Sequence, residues 1–196
     1  ATPASFAAHV ESRNMEREIA KQLIQTKPEV LIGGGRKYFK PSPNPITKAF
    51  DHTSTLKAAA DKGYRIANTP AELRNATEPY LLALLQPGPL TTEPPEPNLA
   101  ELTEKSLQIL NQDPDGFFLM VEGSQIDWAC HKNDAEETAR QTLLFDQAVK
   151  KALQFAARNP RTLIIVTSDH ETGDLTVNKQ TGSKATIKAD FSSLGH

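Results

Sequence analysis

Phe117-Phe118-Leu119-Met120-Val121-Glu122-Gly123-Ser124-Gln125-Ile126-Asp127-Trp128-Ala129-Cys130-His131 begins as an apolar strand pattern and runs straight into carboxylates and a histidine. A second stretch repeats the pattern: Thr162-Leu163-Ile164-Ile165-Val166-Thr167 is followed by Ser168-Asp169-His170-Glu171-Thr172-Gly173. In an open α/β sheet, ligands gather outside the carboxyl ends of the strands, so Glu122, Asp127, His131, Asp169 and His170 are candidates for one crevice. Carboxylate oxygens and imidazole nitrogens suit zinc, and an oxygen-only set suits magnesium.

Between the two stretches, Phe145, Val149, Ala152, Leu153 and Ala156 recur at helical spacing, which predicts a helix over 133–158 with one apolar stripe. Asn159-Pro160 ends it. Strand, helix and strand then form a βαβ unit with a right-handed crossover. Asp127 and His131 are four apart, so one turn of helix after the first strand aims both at a single ion. An Asp that caps a helix and a His that packs or faces solvent is the plainer alternative. Asp169 and His170 are adjacent, and adjacent residues in a strand point to opposite faces. They can share an ion only where the strand has ended, and Gly173 with the polar run before it makes such an exit. A Ser168-Asp169-His170 hydrolytic triad is excluded, because three contiguous side chains cannot form the required line of hydrogen bonds. No GxSxG elbow is present.

Elsewhere the punctuation predicts alternating helices and strands. Thr2 is a plausible cap before Pro3, with helix from about 3 to 25 in one or two pieces. Val30 to Ile32 reads as a short buried strand, and Gly33-Gly34-Gly35 as a tight turn without phosphate-loop spacing. Pro41, Pro43 and Pro45 mark a loop, Leu56 to Lys62 a short helix and Tyr80 to Leu85 an apolar strand. Pro87, Pro89, Pro94, Pro95 and Pro97 make 86–97 a surface connection within one domain spanning 1–196, before a helix from Asn98 to Leu110.

Composition narrows the function. The 196 residues carry a formal charge of -2 with no basic run, so nucleic-acid binding is not expected. No apolar stretch reaches the roughly 18 residues of a membrane span, and no basic-then-apolar leader opens the chain. One cysteine, Cys130, rules out an internal disulfide.

The motif from Glu122 to His131, the motif from Thr167 to Gly173, the opening Ala1-Thr2-Pro3-Ala4-Ser5-Phe6-Ala7-Ala8-His9-Val10-Glu11-Ser12-Arg13 and the segment Val30 to Phe39 together resemble alkaline phosphatase. The resemblance spans nearly the whole chain. It implies an α/β sandwich with a central, mostly parallel sheet flanked by helices, present here in part. It implies two Zn2+ and one Mg2+ per subunit: Asp127, His131 and His196 for the first zinc, Asp169 and His170 for the second, and Glu122 and Thr2 for magnesium. Arg13 matches the family's phosphate-binding arginine, a planar fork that stays charged at alkaline pH. The family's serine nucleophile and a metal-bridging aspartate find no match, so the chain reads as an internal piece truncated at both ends and inactive alone. Trp128 stands where family members differ, some having Lys or His, and with Trp there any direct charge or water contact supplied by those residues is lost. The implied activity is hydrolysis of phosphate monoesters through a phosphoserine intermediate, in a periplasmic or secreted homodimer. A related phosphodiesterase or sulfatase, or a non-catalytic metal-binding fragment, are the alternatives.

Overall fold

The computed structural model describes residues 2–43, 50–51, 54–91, 93–179 and 187–190. They belong to two compact units, 1–122 and 123–196.

The first unit is organised by the run Leu81-Leu82-Ala83-Leu84. It forms strand β5 (Leu81–Leu84), central in a three-stranded sheet between β1 (Val30–Gly33) and β4 (Arg65–Ala67), with both pairings parallel. Every residue of β5 is buried, as a strand covered on both faces requires. Side chains alternate along it. Leu81 and Ala83 join Ala67, Leu73, Ala76, Leu85, Leu102 and Ile109 in one core cluster. Leu82 and Leu84 join Ala20, Ile24, Phe39, Ala59 and Tyr64 in the other. Helices α2 (Glu16–Thr26) and α3 (Thr55–Asp61) thus supply one face, and α4 (Pro70–Asn75) and α5 (Leu99–Leu110) the opposite one.

Local chemistry sets these boundaries. Ser54 accepts from the Lys57 amide at the start of α3. Thr69 with Glu72 and Asn98 with Glu101 build reciprocal capping boxes for α4 and α5. The helix expected over 3–25 is two pieces, α1 (Thr2–Ser5) and α2. The break follows from Ser12, whose hydroxyl and carbonyl take the amides of Asn14 and Met15 at 3.3 and 3.0 Å and so compete with helical bonding. Thr2 is the first residue of α1 rather than a cap before it.

The triglycine run is a strand-end turn, and the structure shows why it must be glycine. A Cβ on Gly34 would meet the Gly88 carbonyl oxygen at 2.0 Å, and Gly35 has φ of +82°. Backbone of the proline-rich segment runs alongside, with Gly88 accepting from the Gly35 amide at 2.7 Å and Gln86 from Arg36 at 3.0 Å. Of the expected loop prolines, Pro43 lies in a two-residue strand, β2 (Ser42–Pro43), paired antiparallel with β3 (Phe50–Asp51). Pro45 lies outside the described residues.

The second unit contains α6 (Gln125–His131), α7 (Ala135–Arg158) and an antiparallel pair, β6 (Thr176–Lys179) with β7 (Ile187–Asp190). Asp134 caps α7 by accepting from the Glu137 amide at 3.0 Å. The buried side of α7 carries Thr138, Gln141 and Ala148, with the Cys130 thiol 3.6 Å from the Thr138 hydroxyl. Leu153, expected in the apolar stripe, is exposed.

Two expected strands do not form. Neither 117–121 nor 162–167 forms a ladder, so the expected βαβ unit is not closed. Their side chains show the consequence: Phe118 is 72% exposed, Leu163 83% and Ile165 78%. A strand pattern specifies an extended backbone, but the backbone groups need a neighbouring strand, and these segments have none among the described residues.

Candidate metal centre

Helix α6 sets the first pair of groups. Its seven residues place Asp127 and His131 one turn apart, with His131 Nε2 3.6 Å from Asp127 Oδ1. The segment after 167 sets the second pair. There the backbone has left any extended run: the Asp169 carboxylate accepts from the His170 amide at 3.0 Å, and the chain then turns at Gly173 and Asp174, both at positive φ. This fold-back lets neighbours that would diverge on a strand converge, and His170 Nε2 lies 3.3 Å from Asp169 Oδ2.

Two residues bring the pairs together. Thr172 donates to Asp127 Oδ1 at 2.7 Å, and the same hydroxyl lies 3.1 Å from His170 Nδ1. Gly173 lets the loop lie against the end of α6, since a Cβ there would sit 2.7 Å from the Cys130 carbonyl oxygen. Gly123 similarly admits the Phe145 ring, which a Cβ would approach to 2.9 Å.

The donor chemistry fits a cation. His170 Nδ1 faces the Glu171 carbonyl at 2.9 Å, and a carbonyl can only accept, so Nδ1 carries the hydrogen. Nε2 of the neutral ring then presents a lone pair to the Asp169 carboxylate. A proton or a cation on Nε2 makes this 3.3 Å approach attractive. The His170 pKa responds accordingly: it is raised, first by the Glu171 carbonyl and then by the charge of Asp169. Tetrahedral donors about 2.0–2.1 Å from a zinc ion sit roughly 3.3 Å apart, which is near the spacing within each pair. All four side chains remain open to solvent, from 38% exposed for Asp127 to 69% for His131. Each pair supplies two donors, and among the described residues no group of three His, Cys, Asp or Glu is assembled. His196, the expected third ligand of the first pair, lies outside the described residues.

The oxygen-only and anion-binding candidates belong to the first unit. Glu122 is half-buried at its end, Thr2 begins α1, and Arg13 is exposed in the turn between α1 and α2 rather than on a helix. Trp128 is exposed on α6 next to Asp127. Ser168 offers its carbonyl to the Thr167 hydroxyl at 2.8 Å, and nothing resembling a triad forms around it. Thr172 was not singled out by the sequence as a functional residue, and the only hint was its place in the polar run before Gly173.

Comparison with known proteins identifies the family. A family model described as alkaline phosphatase matches residues 1–193. Alkaline phosphatase 4 of Bacillus subtilis is 37% identical over 187 residues, covering 90% of this chain and 39% of that protein. The structure of alkaline phosphatase from the Antarctic bacterium TAB5 superposes with a TM-score of 0.82 at 34% identity, over 98% of this chain and 57% of that one. A variant of the TAB5 enzyme, with Mg bound in its M3 site, superposes with a TM-score of 0.79 at 33% identity, over 100% of this chain and 56% of that one. The chain therefore spans about two-fifths of the length of the curated relative and over half of the TAB5 structures.

Proposed function

Since this chain belongs to the alkaline phosphatase family, we propose that it is the part of a phosphate monoester hydrolase that carries most of the metal shell. The observation that supports this most strongly is the hydroxyl of Thr172, which meets Asp127 of one carboxylate–histidine pair and His170 of the other. Asp127 and His131, with His196, hold one zinc, and Asp169 and His170 hold the second. Glu122 and Thr2 hold magnesium. When bound, paired zinc ions supply Lewis-acid stabilisation to the attacking and leaving oxygens of an in-line displacement.

The chain's own residues do the rest. Asp127 and His131 are presented from one helical turn, which fixes their mutual orientation before any ligand arrives. His170 keeps its hydrogen on Nδ1, so Nε2 is the ligating atom. Arg13 offers two donors to the non-reacting phosphoryl oxygens. The nucleophile, a serine that passes through a phosphoserine, is supplied by sequence outside these residues. Residues 1–196 act as one domain in that setting, with 86–97 as a surface connection within it. A homodimer in the periplasm or secreted medium, acting on small phosphate monoesters, completes the reading. No helix among the described residues is long and apolar enough to cross a membrane.

The test is hydrolysis of p-nitrophenyl phosphate at alkaline pH by residues 1–196 and by the longer natural protein, each loaded with zinc and magnesium. Turnover by the longer protein alone is expected. Comparable kcat in the two would contradict the placement of the nucleophile, and no turnover in either would contradict the activity.

A further inference from the structure

We propose that Thr172 is a positioning residue that links the two metal-binding pairs through one hydroxyl. The inference rests on the metal reading above and adds a residue to it. A threonine hydroxyl has one hydrogen to give and lone pairs to receive. Asp127 is a carboxylate and can only accept, so the Thr172 hydrogen is committed to Asp127 Oδ1 at 2.7 Å. Toward His170 Nδ1, at 3.1 Å, the same oxygen must then accept. The Nδ1 hydrogen is shared between this oxygen and the Glu171 carbonyl. Donation therefore runs in one direction, from His170 to Thr172 to Asp127.

This arrangement has two effects. Asp127 Oδ1 is held by Thr172 on one side while facing His131 on the other, so the carboxylate cannot swing away from its helical partner. The His170 ring is locked with Nε2 toward Asp169. Asp127 and Thr172 are 45 residues apart, and the loop carrying Thr172 is kept close by the bare Cα of Gly173 against the Cys130 carbonyl. One side chain thus orients a ligand of each ion. Outer-shell partners of this kind are worth about 10–100-fold in metal affinity when removed.

The experiment is a zinc titration of the natural protein against a chromophoric chelator, repeated with Co2+ to read the ligand-field spectrum, for the wild type, Thr172→Val and Thr172→Ser. Valine keeps the shape and removes the hydroxyl. The proposal expects Thr172→Val to lose about 10–100-fold in affinity at both sites with a shifted cobalt spectrum, and Thr172→Ser to stay within about threefold of wild type. Should Thr172→Val fail to fold by far-UV circular dichroism, Thr172→Ser against Thr172→Ala gives the same contrast. Wild-type affinity and spectrum in the hydroxyl-free variant would overturn the role of Thr172 while leaving the metal centre standing, as would an equal loss in Thr172→Ser. Absence of any ion at Asp127, His131, Asp169 and His170 in the wild type would overturn both.

Discussion

At Gly173 the absence of one methyl group decides how close the loop carrying Asp169 and His170 comes to α6. The residue has φ of +80°, and a Cβ would press on a backbone oxygen at 2.7 Å, which cannot move aside as a side chain can. Gly173→Ala should therefore cost about 1–3 kcal/mol of stability by urea denaturation. It should also weaken zinc binding about 10-fold or more in chelator competition, through displacement of Thr172 and His170. Unchanged zinc affinity would mean that the approach is not needed. Arg13→Ala should act differently, lowering kcat/KM for a phosphate monoester by about 100-fold or more while bound zinc stays constant. If inhibition by inorganic phosphate and kcat/KM were both untouched, Arg13 would have no such role. At this scale the two carboxylate–histidine pairs were legible because chemistry-bearing residue types stand at helical or adjacent spacing. Thr172 was not, because threonine is ordinary in a polar loop and its partner lies 45 residues away in sequence.

Helices were the legible elements, because their signals are local. The helix expected from Asn98 begins at Leu99 and the one expected over 133–158 begins at Ala135, with Asn98 and Asp134 as their caps. The three residues of β4 carry too short a pattern to read, and the break at Ser12 depends on a side chain capturing nearby amides. Strands 117–121 and 162–167 had the right composition, but pairing is a property of two segments and cannot be read from one. The capping turn of α7 yields a pH prediction. Glu137, bound by Arg140 through two contacts of 2.7 Å, has its carboxyl held down to about 2, first by Arg140 and then by Gln141. A carboxyl lowered on folding contributes stability that is present above its unfolded value of about 4.3 and is lost as pH falls through its folded value. Acid unfolding followed by circular dichroism should therefore lose part of its slope between about pH 4 and 2 in Glu137→Gln. In the sheet, Leu82→Ala removes a fully buried side chain of the central strand and should cost about 2–5 kcal/mol in denaturant unfolding of the first unit. A smaller effect than about 1 kcal/mol would mean that β5 is not central to that core.

For the molecule as a whole, the α/β class follows from a small parallel sheet with helices over both faces, whereas the sequence pointed there through the family resemblance and through 117–121 and 162–167. Its two unladdered apolar segments carry the opposite message. In the second unit Leu163, Ile165 and Val166 are all exposed, which is the composition of an association surface. Residues 1–196 made alone should self-associate in sedimentation velocity, and Leu163→Lys with Ile165→Lys should reduce it. Equal association in that double variant would place the sticky surface elsewhere. On the proposed function, Asp127 and His131 hold one ion and Asp169 and His170 a second. This assignment is tested most directly by an anomalous-scattering map of the zinc-loaded natural protein above and below the zinc edge. One peak is expected at each pair, with Zn–N distances of about 2.0–2.1 Å. Zinc peaks elsewhere, with these four side chains dispersed, would contradict it.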